Sequence, residues 1–173
     1  MKRVAFLLIA VAIVAGVLAS PSPVQGPANE QAAPIFGIKI PPGYRDWKLI
    51  SVAHEEGNLN DFRAILGNDE AIKAFREGDL PFPDGTIIAR QAWKYVASEE
   101  NNKVFGRPQS FVAGPPINLQ VMVKDSKKYA ATGGWGFAQF TNGKPDGEAV
   151  HKTCFPCHEP AKAHDLVFTH YAP

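Results

Sequence analysis

Near its C-terminus the chain carries Cys154-Phe155-Pro156-Cys157-His158. Two thiols three residues apart can reach both vinyl groups of one porphyrin and form thioethers, and the adjacent His then lies under the iron. The pattern points to one covalently attached haem c per chain, with Cys154, Cys157 and His158 binding the cofactor and His158 the metal. Other chemistries share these residue types. A Cys-x-x-Cys pair can be a thiol–disulfide centre, but such a pair normally accompanies a βαβ unit near the start of a fold. A structural zinc could take Cys154, Cys157 and two of His151, His158 and His164, though no ligand spacing singles these out. A plain disulfide would leave His158 without a task.

The other end of the chain supports haem. Lys2 and Arg3 precede an almost unbroken apolar run from Val4 to Leu18, and Val17-Leu18-Ala19 offers a small-residue cleavage site before Ser20. This is a secretory signal peptide over residues 1–19, shorter than the roughly 20 apolar residues of a spanning helix. No Cys follows the run to carry a lipid. The address is a periplasm, with no membrane attachment after cleavage, and covalent haem attachment takes place outside the cytoplasm.

The elements that must position the motif come from the remainder. A chain of 173 residues, 45% hydrophobic, suits one globular domain. Its 18 basic and 17 acidic residues leave no nucleic-acid footprint. Two Cys exclude a disulfide-dense scaffold. Residues 20–35, rich in Pro, Ala, Gln and Ser, read as a flexible leader, and the haem domain as 36–173. Strands are expected at Trp47–Val52, Phe62–Leu66, Thr86–Val96, Ser110–Ala113, Asn118–Lys124 and Trp135–Phe140. Asp69–Glu77 reads as an amphipathic helix with Asp69 as N-cap, Ile72, Phe75 and Leu80 on its apolar side, and Gly78 as its stop. Pro81–Gly85 is a turn, Glu99–Asn102 a polar loop, and Asp125–Ala131 one helical turn. The C-terminal segment reads as helical stretches broken by Pro156 and Pro160. Successive strands with short turns indicate an α+β fold built mainly on an antiparallel sheet.

A sixth iron ligand would be Met or His. After signal removal only Met122 remains among the methionines, inside a strand, where core packing is its ordinary use. His54, His151, His164 and His170 are the other candidates; His164 and His170 flank an apolar stretch, where a surface or hydrogen-bonding role is the more ordinary one. The balance favours five-coordinate iron with an open site.

Beyond these residues the chain resembles the cytochrome P-460 family, which includes the cytochromes c′-beta, over about Tyr44 to Pro173. The resemblance rests on Tyr44-Arg45-Asp46-Trp47, Pro83-Asp84-Gly85-Thr86, Val123 to Lys128, Trp135 with Phe137, the haem motif, and the ending Asp165 to Pro173. It implies a mostly antiparallel β domain, one haem c, five-coordinate iron and often a homodimer. It also implies one of two activities: hydroxylamine oxidation, with a Lys cross-linked to the porphyrin, or binding of nitric oxide and similar gases. Where the family has the cross-linking Lys, this chain has Arg90, which is not an amine nucleophile. Lys94 lies four residues on, roughly 13 Å along a strand. Where the oxidisers have a distal acid, this chain has Gln120, which cannot act as a general base near neutral pH.

Arg90 and Gln120 are therefore candidate distal donors to an iron-bound ligand. In the alternative, Arg90 pairs with a propionate or a carboxylate and Gln120 joins a polar cluster. Strand alternation groups Ile88 and Ala92 with Arg90, and Asn118 and Met122 with Gln120. Trp47, Trp93, Trp135, Phe137 and Phe140 read as core or haem-packing aromatics, and Lys124, Lys127 and Lys128 as a solvated basic face that could dock an acidic redox partner. The function expected is an exported cytochrome binding a small gaseous or nitrogenous ligand. A haem oxidoreductase of hydroxylamine or peroxide, or a simple electron carrier, is the alternative.

Overall fold

The computed structural model describes residues 31–172; the expected signal peptide and most of the expected leader lie outside them. Six strands form one antiparallel sheet in sequence order: β1 (Lys48–Glu55), β2 (Asp61–Gly67), β3 (Ile87–Ala97), β4 (Phe111–Lys124), β5 (Trp135–Thr141) and β6 (Lys144–Pro145). Three helices accompany it: α1 (Asp69–Glu77), α2 (Glu99–Phe105) and α3 (Glu148–His158). The fold is α+β. Each strand pairs with its neighbour in the chain, so no connection crosses the sheet; α1 lies between β2 and β3, and α2 between β3 and β4. Among the described residues no helix is long and apolar enough to cross a membrane.

The main core holds Ile50, Val121, Trp135 and Phe140, all essentially inaccessible, with Ala71 and Ile72 of α1 packed on them. Ala33, Phe36 and Ile38 join this cluster, so the stretch expected as a leader up to residue 35 meets the core at Ala33. Trp47 packs on the cluster, whereas Trp93 is half-buried outside it. Gly136 of β5 lets the Tyr129 ring lie flat on the strand. A Cβ there would come within 2.5 Å of the ring, whose hydroxyl donates to the Phe36 carbonyl at 3.1 Å.

Several elements differ from expectation, each for a local reason. The N-cap of α1 is Asn68, not Asp69: its side chain accepts from Ala71 N at 3.0 Å and from Ile87 N at 3.0 Å. Asp69 instead pairs with Lys48 at 2.7 Å. Gly78 stops the helix with φ 74°, but Leu80 is exposed rather than on the apolar side. The expected loop at Glu99 is helix α2, fenced by Ser98 as N-cap and Gly106 at φ 68°. It buries no residue, so it has no apolar periodicity to read. The expected strands at Ser110 and Asn118 are one strand, β4, running through Pro115 and Pro116. The prolines are tolerated because β5 pairs only with Leu119 to Lys124, leaving residues 111–118 on an edge where no N–H is called for. Pro156 does not break α3, which continues to His158; Pro160 follows in a 3-10 turn.

Lys124 is not on a solvated face. It is buried, with Nζ 2.8 Å from both Asp165 oxygens, 3.3 Å from the Gly133 carbonyl and 5.1 Å from the centre of the Trp135 ring. Asp165 also accepts from Phe82 N at 2.9 Å. Lys127 and Lys128 are exposed.

Removing one partner of a buried ion pair strands the other charge, at a cost of about 3–5 kcal/mol. Asp165→Asn keeps the shape and the left-handed backbone (φ 51°), so a loss of about 3 kcal/mol in denaturant unfolding is expected. A loss below about 1 kcal/mol would show the pair to be a solvated contact. Gly136→Ala is expected to cost about 1–3 kcal/mol by overpacking against Tyr129, read in the same unfolding assay.

Candidate haem-binding site

A cavity of about 850 Å³ opens between the sheet and the C-terminal segment, within the roughly 300–1,000 Å³ range of small-molecule and cofactor sites. Cys154, Cys157 and His158 line one side. The other side is set by strand register. Ile65 pairs with Arg90, Arg90 with Gln120, and Gln120 with Gln139, forming one cross-strand row. Ile88, Met122 and Phe137 form the next. The cavity walls include both rows. Thus β3, β4 and β5 bring Arg90 and Gln120 to the same cavity as the Cys-x-x-Cys-His motif.

His158 is held from three directions. Its Nδ1 lies 2.7 Å from the Leu166 carbonyl. A carbonyl only accepts, so Nδ1 carries the proton and Nε2 keeps its lone pair, the arrangement a metal-ligating imidazole needs. Phe137 and Phe168 flank the ring at 4.9 and 5.1 Å between centroids. Burial holds the His158 pKa below its ordinary value, with the Leu166 bond working the other way. The neutral ring is thereby favoured.

The competing chemistries fare less well. Burial, and then the neighbouring Cys157, push the Cys154 thiol up. A reactive redox thiol needs the opposite shift. Among the described residues no three His, Cys, Asp or Glu side chains converge to hold a metal ion, which leaves the zinc alternative without ligands. His151 is buried with both nitrogens engaged: Nε2 accepts from Gln139 N at 3.1 Å and Nδ1 faces the Gly147 carbonyl at 3.0 Å. It locks α3 onto β5 and is no ligand. His54 stacks on Tyr95 at 4.1 Å. His164 meets His170 edge-on at 5.6 Å, and His170 lies at the cavity rim beside Phe168 and Thr169. Met122 sits in β4 within the hydrophobic cluster and on the cavity wall.

Arg90 donates from Nη2 to Asp61 at 3.2 Å and from Nη1 to Asn118 at 3.3 Å. The carboxylate pairing of the alternative reading is thus present, and its Nε, also buried, has no partner. Burial and then the nearby Arg63 charge pull the Arg90 pKa down to about 10, against the pull of Asp61 and Glu55; it stays charged at neutral pH. Gln120 Nε2 donates to Gln139 at 2.6 Å, and Gln139 to Asp146 at 2.6 Å. Asp146 only accepts, so it fixes the direction of both amides. Gln120 retains its carbonyl oxygen and one N–H. Lys94 is exposed and stands opposite Asp61 only in the strand register; it does not line the cavity.

Asp61 and Arg63 are among the wall residues that escaped the sequence reading. Asp61 is buried and accepts from Arg63 Nε at 2.6 Å, as well as from Arg90. Arg63 also reaches Glu55 at 2.9 Å. Their only trace in the sequence is that residues 61 and 63 fall on one side of β2.

Two free thiols three residues apart, a pre-oriented imidazole with a free Nε2, and a cavity of this size fit a haem c held by Cys154, Cys157 and His158. A comparison with curated proteins found no match. The profile of the family described as Cytochrome P460 matches residues 41–169, from the turn before β1 to the segment that packs on His158. On that match, spanning most of the chain, the protein belongs to the cytochrome P460 family.

Proposed function

We propose that the protein is an exported, periplasmic monohaem c-type cytochrome that binds nitric oxide or another small ligand in the cavity that His158 lines, for sensing, scavenging or detoxification. When bound, the haem supplies an iron that exchanges one electron and takes up one small ligand. Cys154 and Cys157 tether the porphyrin. His158 presents Nε2, with its tautomer set by the Leu166 carbonyl. The observation that carries the reading is the wall across from the motif: Asp61, Arg63, Arg90, Asn118, Gln120 and Gln139 form a hydrogen-bonded polar surface within a cavity. Burying charge and amide groups is costly, and a site that only relays electrons has no need of them. The unpartnered Arg90 Nε and the free N–H of Gln120 are the donors available to a ligand.

Peroxidase-like turnover is the second reading, favoured by the same Arg90 guanidinium beside the cavity. Arg90 in place of the family's cross-linking Lys weighs against hydroxylamine oxidation.

The deciding experiment is an absorption spectrum of the protein matured with haem, resting, reduced, and reduced under nitric oxide. A high-spin ferrous spectrum that shifts with nitric oxide is expected. A low-spin six-coordinate resting spectrum would move the electron carrier to first place, with Met122 and His170 as its ligand candidates. A strongly red-shifted ferrous Soret band would mean a modified porphyrin and return hydroxylamine oxidation.

Arg90→Leu removes the guanidinium donor, and about a tenfold loss of ligand affinity or of peroxide turnover is expected, since a charged hydrogen bond contributes about 1.5–3 kcal/mol. Unchanged values for both would remove Arg90 from the ligand site.

A further inference from the structure

The charged side chains lining the cavity among the described residues are Glu55, Asp61, Arg63 and Arg90. They form one connected cluster. Asp61 sits at its centre, its side chain 4% exposed. It takes a two-point contact from Arg63, at 2.6 Å to Nε and 3.3 Å to Nη2, and a third bond from Arg90 at 3.2 Å. Arg63 extends the cluster to Glu55, which is half-exposed. Two cations therefore face two carboxylates, and the net charge of the wall is zero. The uncharged polar lining adds the amides of Asn58, Asn118, Gln120 and Gln139 and the hydroxyls of Ser51, Thr153 and Thr169.

Two half-buried guanidinium groups lining one cavity would by themselves make an anion site. Asp61 cancels that property. It occupies the donors of Arg63 that face it and one amino group of Arg90. We propose that Asp61 is the specificity-determining residue of the ligand cavity: by neutralising Arg63 and Arg90 it makes the site select uncharged small ligands and discriminate against small anions. This inference rests on the reading of an open ligand site next to a haem. It assigns the charge class of the ligand, which that reading leaves open.

The arrangement makes the effect electrostatic rather than steric. Asp61→Asn keeps volume and shape but leaves a wall of net charge +1. Arg63→Gln leaves −1. The double variant restores zero. In a partly buried site at an effective dielectric near 20, one unit charge within several ångströms of an anionic ligand alters its affinity by about tenfold or more. A neutral ligand feels this change only weakly.

The test uses haem-loaded protein and two probes read by absorption titration: inorganic azide on the ferric protein and nitric oxide on the ferrous protein. Relative to wild type, the ratio of azide to nitric oxide affinity is expected to rise at least about tenfold in Asp61→Asn, to fall by a similar factor in Arg63→Gln, and to return near the wild-type ratio in Asp61→Asn/Arg63→Gln. The two single variants shift the wall in opposite directions, so either one decides if the other fails to fold. A ratio that stays within about twofold of wild type in a folded single variant, beside normal nitric oxide binding, overturns the role of Asp61 alone. Wild-type protein that takes up neither probe overturns the open-site reading, and the Asp61 inference with it.

Discussion

The geometry of the site hangs on the buried ion pair between Lys124 and Asp165. Lys124 ends β4, and Asp165 begins the left-handed turn that continues through Leu166 at φ 67°. That turn aims the Leu166 carbonyl at His158 Nδ1 and delivers Phe168 to the imidazole face. The pair thereby joins the last segment of the chain to the sheet and sets the tautomer of the His158 imidazole. A buried pair of this kind is tolerable only when its remaining hydrogen-bonding capacity is met. Here the Gly133 carbonyl, the Phe82 amide and the Trp135 ring meet it.

On the opposite side, position depends on register rather than on a single contact. Arg90, Gln120 and Gln139 stand in one row because β3, β4 and β5 pair without a bulge between Ile87 and Gln91 and between Leu119 and Lys124. A slip of one residue would turn the row to the other face of the sheet. The register shifts in β3 lie beyond Gln91, where the hairpin extends past β5 and carries none of this row. His151 fixes the third side by taking the Gln139 amide with Nε2, so the helix bearing both thiols and the strand bearing Gln139 move as one unit.

Much of this was legible in the residues. The Cys154–His158 spacing states its chemistry, and alternation within Thr86–Val96 and Asn118–Lys124 correctly groups Arg90 with Ile88 and Gln120 with Asn118 and Met122 on the cavity wall. The limits of α1 were readable because its apolar positions repeat and Gly78 stops it. Helix α2 was not, because it buries nothing. Lys124 reads as one of three surface lysines until Asp165, 41 residues away, is folded against it. Asp61 and Arg63 were hidden for the same reason: an alternating Asp-Phe-Arg is the ordinary pattern of a half-exposed strand. Only the pairing of β2 with β3 shows that both charges face a cavity.

The sheet's order, each strand beside its predecessor, bears on how the protein is assembled. Every pairing closes only the connection between successive strands, at most the segment carrying α1 between β2 and β3, and closure entropy grows only slowly with that length. A chain emerging N-terminus first can add one hairpin arm at a time to a growing edge. The wall that carries Asp61, Arg90, Gln120 and Gln139 is complete by Thr141, before the first residue of α3. Cys154 and Cys157 arrive last, at a cavity wall already formed by the sheet.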